Sequence, residues 1–500
     1  LHPASSIFVI PLNIRLLLGL GCALHFALGA SLGLSVDEAH YALYAAHPDW
    51  SYFDHPPLVG WVQWPLVALD APTWALRLVP EGMWLATALL VYRLAERLDP
   101  VRNGQAGFWA VLALTLAPLL HVLGIGLLPD TLLVFFTALI MGLTLDLMAP
   151  RKLHSMPSWL SLGLALGLAG LSKYTAILAV PGVAACLLMA HGWRVLRVRG
   201  LWLALGVGLL LVMPVAYWNH ANQWISLRYQ AQHGVGGGWE AAHVLKFMLL
   251  QMLVYGPLLL WGLAGVRRCV DTAARAVLLF FALPFALLAF LAGGGTSLPH
   301  WTAPAWVAMA PFAGIGLAHA WSGVRRWPVA CLAAAQGLLC AAALGLMLTG
   351  GYPLVTSSAG QGNSAAPSNP FADLHGWAAA GARARVLAVQ EGLTSVSVQN
   401  WTLASRLGWY ARPLPVHVLE DRFDQFDLWA GDLPAGGSTL LVDWSQLGYT
   451  VPLGQPGFTD CKLLDTLDTQ RFGRVISSFR LYACRGWNGP PRPRLAGAGG

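Results

Sequence analysis

The stretch Ser35–Trp61, SVDEAHYALYAAHPDWSYFDHPPLVGW, lies between the first long apolar run and the second. It crowds Asp37, Glu38, His40, His47, Asp49, Asp54 and His55 into one short loop. The rest of the chain is poor in charge. It is 56% hydrophobic and 11% charged, where soluble proteins carry roughly a quarter charged residues. Its mean hydropathy is +0.58. Such a chain is a polytopic membrane protein, at least through Gly351. Ionisable groups gathered at a membrane face have little structural reason to be there, so the loop reads as a functional site.

Working outward from it, apolar segments of spanning length fall near 14–34, 79–97, 106–127, 130–149, 158–172, 174–190, 201–218, 244–264, 276–293, 302–321 and 328–349. Basic residues such as Arg93, Arg97, Arg151, Lys152, Arg194, Arg197, Arg267 and Arg325 sort to alternate connections. The positive-inside rule makes those connections cytoplasmic. The acidic loops and everything after Gly351 then lie outside. The first run reads as an uncleaved signal anchor. The 23 Trp suit interfacial belts, and topology accounts for most of the net charge of +7, so nucleic acid is not an expected partner. The fifth and sixth segments are short, which sinks Lys173 in LSKYTA below the outer surface.

After Gly351 the composition changes. The expected domains are a membrane domain 1–351, a small-residue linker 352–382, an outer α/β domain 383–487 and a disordered tail 488–500. Within the α/β domain, 384–390, 438–444 and 475–484 read as strands, and 398–410 reads as an amphipathic helix. Cys22, Cys186, Cys269, Cys331 and Cys340 are scattered in or beside spans, which argues for packing. Cys461 and Cys484 both fall in the outer domain, where an oxidising compartment favours a disulfide.

Polar groups on the outer connections converge if the bundle closes. They are Asp37, Glu38, Asp54 and His55 from the first, Asp130 from LLPDT, and Lys173 and Tyr174 from the third. Asn219, Arg228 and His233 come from WNHANQWISLRYQAQHG, and His300 from LPHWTAPAW. One carboxylate base beside several cations fits sugar transfer from a lipid phosphate. The acceptor hydroxyl needs a base, while the departing phosphate is already a stable anion and needs only charge stabilisation. Bland readings stand beside this one. Asp37 and Glu38 can cap a helix, Asp130 can start the fourth span, Lys173 can snorkel, and Arg228 can anchor at a headgroup.

The motifs DEAHYALY and YFDHPPLVGW resemble the first outer loop of the bacterial protein O-mannosyltransferase-like (family 39) glycosyltransferases. They also resemble the related lipid A aminoarabinose and galacturonic acid transferases. The resemblance continues through LLPDTLLVFF, GLSKYTAILAVPG, WNHANQWISLRYQAQHG, PHWTAPAW and DRFDQFDLW. It implies a GT-C membrane fold of about 11 transmembrane helices. It implies an inverting transferase with a polyprenyl-phosphate-linked sugar donor and an envelope acceptor such as lipid A, a glycan or a protein. It maps catalytic roles onto Asp37, Glu38 and Asp130. Asp54, His55, Lys173, Tyr174, Arg228, His233 and His300 are expected to bind substrate. Asp54 and His233 are candidate ligands for a divalent metal, and no nucleotide or redox cofactor is expected. The implied location is the bacterial inner membrane, with the site on the periplasmic side. A lipid-linked sugar flippase or transporter and a lipid-binding scaffold are the alternatives. Ionisable groups near the midplane and broken helices in matched halves would mark a transporter.

Overall fold

The computed structural model describes residues 10–100, 104–269, 271, 273–323, 325–354, 369–447, 451–454 and 456–489. Among them, eight helices are long and apolar enough to cross a membrane. Two further spans are bent pairs, and Met156–Ser172 is a shorter apolar helix. Together they occupy the positions of all the apolar segments read from the sequence.

The bends were not expected. Gln105–Thr115 meets Pro118–Ile125 at 77°, and Ala241–Tyr255 meets Pro257–Arg268 at 98°. A proline opens each second half, where it removes a donor and clashes with the preceding turn. Gly256, at φ 76°, turns the second corner. Backbone groups freed inside a membrane must find new partners. Gln336 serves both breaks. Its Nε2 donates to the carbonyls of Leu116 and Tyr255, each at 3.0 Å, and its Oε1 accepts from Leu258 N–H at 3.3 Å.

The first loop opens with the helix Val36–Ala46. Ser35 and Glu38 have the spacing of a capping box and form one. Ser35 Oγ accepts from Glu38 N–H at 3.3 Å, and Glu38 Oε2 accepts from Ser35 N–H at 2.9 Å. Arg77, at the start of the next span, locks this turn. Its Nε donates to Glu38 Oε1 at 2.7 Å and its Nη2 to Glu38 Oε2 at 2.9 Å. The same guanidinium caps the end of the helix Leu12–Ser31 through the carbonyls of Gly29, Leu32 and Gly33.

The C-terminal domain holds β1 (Val396–Val398), β2 (Val416–Val418), β3 (Thr439–Trp444), β4 (Phe458–Arg471) and β5 (Arg474–Trp487) in the order β2-β1-β3-β5-β4. β1 is parallel to β2 and β3, while β5 runs antiparallel to β3 and β4. The expected strand at 384–390 is instead part of the helix Trp377–Glu391, which crosses the expected boundary at 383. Its buried Trp377, Ala380, Gly381, Ala384, Leu387 and Ala388 follow helical spacing. Alanine is the best helix former, and Gly392 at φ 64° stops the run. The helix expected at 398–410 is Trp401–Tyr410, and 439–444 and 474–487 are strands. Cys461 and Cys484 face each other across β4 and β5 and are disulfide-bonded. Residues 355–368 of the expected linker and 490–500 of the expected tail lie outside the described residues. Asn488, placed in that tail, donates its N–H to Gly457 O at 2.9 Å.

The C-terminal domain and the first loop share one apolar core. Leu34, Ala39, Ala42 and Leu43 pack with Leu403, Leu407 and Phe426. Gly408 permits the approach, since a Cβ there would lie 2.9 Å from Leu43 Cδ1. The two therefore sit at the same end of the bundle. Arg77→Lys keeps one charge but loses the planar fork that serves five acceptors. It should destabilise the detergent-purified protein by at least about 2 kcal/mol, seen as a lower thermal midpoint. An unchanged midpoint would remove Arg77 from this structural role.

Candidate active site

A cavity of about 440 Å³ lies where the first loop, the helical bundle and the C-terminal domain meet. It brings together Asp37, Asp54, His55, Asp130, Lys173, Tyr174 and His300, seven residues picked out from the sequence. Asp37 stands in the first turn of Val36–Ala46, half-buried. Among the described residues its carboxylate has no hydrogen-bond partner. Burial raises its pKa above the ordinary carboxylate value, and the neighbouring Asp54 and Asp130 push the same way, partly offset by His300 and His40. A carboxylate made more basic and left unpaired can take up a proton at a substrate atom.

Glu38, Asp130 and Asp54 are engaged by the protein. Glu38, expected in the catalytic set, does not line the cavity, and Arg77 and the Ser35 N–H occupy its oxygens. Asp130, 2% exposed, receives two bonds of 2.7 Å from Lys173 Nζ, with His300 Nε2 at 3.8 Å. Both of its carboxylate oxygens are thus engaged by Lys173. Lys173 is 5% exposed and sits in extended backbone between two helices, so it is buried rather than snorkelling. Two of its three N–H groups go to Asp130, and its ammonium lies 5.7 Å from the Trp301 ring centroid. Asp54 accepts from the Tyr44 hydroxyl and has His40 Nε2 at 3.7 Å. Tyr174 accepts from Asn219 Nδ2 at 3.3 Å.

Two expected cations change status. Burial pushes His55 down to about 4, helped by the charge on Lys173, so its imidazole is neutral at pH 7. Arg228 is exposed on the helix Ile225–Val235 and does not line the cavity. Its neighbour Tyr229 does, and it accepts from Arg422 Nη2 at 2.9 Å. The side chain of His233 lies outside the described residues. Among the described residues, no three His, Cys, Asp or Glu side chains are grouped to hold a metal ion. Asp54 is turned toward Tyr44 and His40, and the expected metal pair of Asp54 and His233 includes a side chain outside the described residues. The corners of the two broken spans are not among the residues that line the cavity.

The C-terminal domain supplies a wall that sequence reading left unassigned: Trp401, Arg422, Asp424 and Gln425. Gln425 Oε1 accepts from Phe53 N–H at 2.7 Å, tying this wall to the first loop. His40 ties it again, with Nδ1 at 3.0 Å from Ser405 Oγ and its ring 5.6 Å from that of Trp401. The available signal was DRFDQFDLW, a charged segment inside the outer domain.

The family described as dolichyl-phosphate-mannose-protein mannosyltransferase matches residues 54–218. The lipid A galacturonosyltransferase RgtD of Rhizobium johnstonii is 28% identical over 304 residues, spanning 59% of this chain and 61% of that protein. The lipopolysaccharide core galacturonosyltransferase RgtA of the same organism is 28% identical over 218 residues, 41% of this chain and 42% of that one. ArnT from Cupriavidus metallidurans, solved in the apo state, superposes with a TM-score of 0.63 at 17% identity. That superposition covers 94% of this chain and 97% of ArnT. A second ArnT structure, bound to undecaprenyl phosphate, gives 0.62 at 16% identity over 97% and 99%. The chain shares the fold of ArnT, and its sequence is similar to the two galacturonosyltransferases, in the direction its motifs pointed.

The Lys173–Asp130 pair generates a prediction. Lys173→Met leaves a buried carboxylate without its cation and should cost several kcal/mol. Adding Asp130→Asn should recover much of that loss, giving a coupling of at least about 2 kcal/mol in a double-mutant cycle of thermal midpoints. Additive losses would mean that the two groups do not act as a pair.

Proposed function

We propose that this chain is an inverting glycosyltransferase. It moves galacturonic acid from a polyprenyl-phosphate donor to lipid A or a related glycolipid, on the periplasmic face of a bacterial inner membrane. The observation that carries the reading is the cavity's division of charge. On the first-loop side it holds Asp37, a carboxylate made more basic by burial and without a hydrogen-bond partner among the described residues, and it holds the buried ammonium of Lys173, with one N–H beyond the two given to Asp130. One wall is apolar, made by Ile177, Leu178, Leu287, Leu288, Leu291 and Leu298. Ile177, Leu287 and Leu298 are themselves exposed on the outside of the bundle, as a lipid-facing opening requires. The polyprenyl chain fits that wall and its phosphate fits beside Lys173. The names of RgtD and RgtA support the choice of sugar and acceptor, and ArnT with undecaprenyl phosphate supports the class of donor.

In this mechanism the acceptor hydroxyl gives its proton to Asp37 as its oxygen bonds to the anomeric carbon. The bond from that carbon to the phosphate oxygen breaks, and its electron pair leaves with the phosphate. Lys173 offsets the developing charge. Attack opposite the leaving group inverts the configuration. Glu38 takes no proton. It holds the turn that carries Asp37.

Transfer is tested with purified protein, polyprenyl-phosphate-linked galacturonic acid and lipid A, with the product read by mass spectrometry. Asp37→Asn should lower the rate roughly 10²–10⁴-fold, as loss of a general base does, at unchanged thermal midpoint. Transfer within about threefold of wild type would place the base elsewhere. The orientation has its own test. A C-terminal alkaline phosphatase fusion should be active and a C-terminal green fluorescent fusion dark. The reverse pattern would put the first loop in the cytoplasm, because it packs on the same domain.

A further inference from the structure

The C-terminal domain brings into the cavity a carboxylate that the reaction above does not use. Asp424 is 4% exposed and lines the cavity. Its Oδ1 accepts from Phe426 N–H at 2.7 Å, and its own N–H donates to Asp427 Oδ2 at 2.7 Å. These bonds fix the side chain. Its Oδ2 is buried and has no hydrogen-bond partner among the described residues. A buried charged oxygen without a donor is expensive, and such exceptions in a native fold call for an explanation. Burial, with Asp427 close by, pushes this carboxyl up to about 7. Arg422, two residues earlier, spends a donor on Tyr229 and is not bonded to Asp424. Trp401 supplies an aromatic surface in the same wall. An oriented polar acceptor within an aromatic lining is the usual make-up of a site that orients a small polar ligand. A phosphate would be repelled there, whereas a hydroxyl donor would be held.

We propose that Asp424 is a sugar-binding residue of this cavity, its Oδ2 accepting a hydrogen bond from a sugar hydroxyl. The hydroxyl belongs either to the transferred sugar or to the sugar that receives it. The inference rests on the transferase reading. It adds the ligand class of the outer-domain wall and a role for a residue remote in sequence from the first loop.

The test uses the full chain in nanodiscs and the variants Asp424→Asn and Asp424→Ser. Both replacements keep an oxygen able to cap the short helix that follows. Neither offers a carboxylate oxygen to the cavity. Binding of polyprenyl-phosphate-linked galacturonic acid and of lipid A is measured separately, alongside steady-state kinetics. The expected result is a Kd and KM at least about tenfold higher for one of the two lipids, with kcat within about threefold. The lipid affected identifies which sugar carries the hydroxyl. The thermal midpoint should stay level or rise, because an unpartnered buried charge has been removed. Affinities for both lipids within about twofold of wild type would overturn the proposal, and so would a lowered midpoint in both variants. If the wild-type protein binds the lipids but transfers nothing, the transferase reading fails, and the role of Asp424 is still read from Kd. If it binds neither, both fail.

Discussion

The structure depends on how one guanidinium is spent. Arg77 gathers the last carbonyls of the first span and both oxygens of Glu38. It thereby joins the end of one helix to the start of the next. Helix ends leave backbone groups unpaired, and a planar fork with five donors is the side chain best shaped to satisfy several at once. Asp37 is the residue before Glu38. Its position at the cavity is a consequence of that lock, and Ser35 and Glu38 complete the lock by capping each other.

The buried carboxylates divide by whether the protein has already satisfied them. Glu38 and Asp130 are paired with Arg77 and Lys173, and Asp54 with the Tyr44 hydroxyl. Groups in such pairs stabilise the site and hold its shape, but their lone pairs are occupied. Asp37 has no hydrogen-bond partner among the described residues, with His300 and His40 as its nearby opposite charges, and Asp424 leaves Oδ2 without a partner. The fold has kept those acceptors in reserve, and burial raises the proton affinity of both. Lys173 belongs to both categories, because an ammonium has one more donor than a carboxylate pair consumes.

The C-terminal domain is part of the site rather than an appendage. Its core continues into the first-loop helix through Leu43 and Phe426, and Gln425 and Ser405 bond to that loop. The outer wall and the loop carrying Asp37 are therefore positioned by one shared core.

The sequence by itself determined the membrane class, the positions of the spans, the crowded first loop and the residues Asp37, Asp54, Asp130, Lys173 and His300. These were legible because hydropathy is local and because charge stands out in an apolar chain. The capping box at Ser35 was equally local. Only the tertiary structure decided which carboxylate is free. Asp37 and Glu38 are adjacent and alike in sequence, and Arg77, 39 residues beyond Glu38, separates their roles. The same holds for Arg228, which faces outward on its helix while Tyr229 faces in. Helix 377–391 could not be told from a strand by a seven-residue pattern, since its burial shows only over four turns. Asp424 lies in a charged segment visible from the start. Its unpartnered oxygen is a property of partners that folding did not supply, and no local pattern records that.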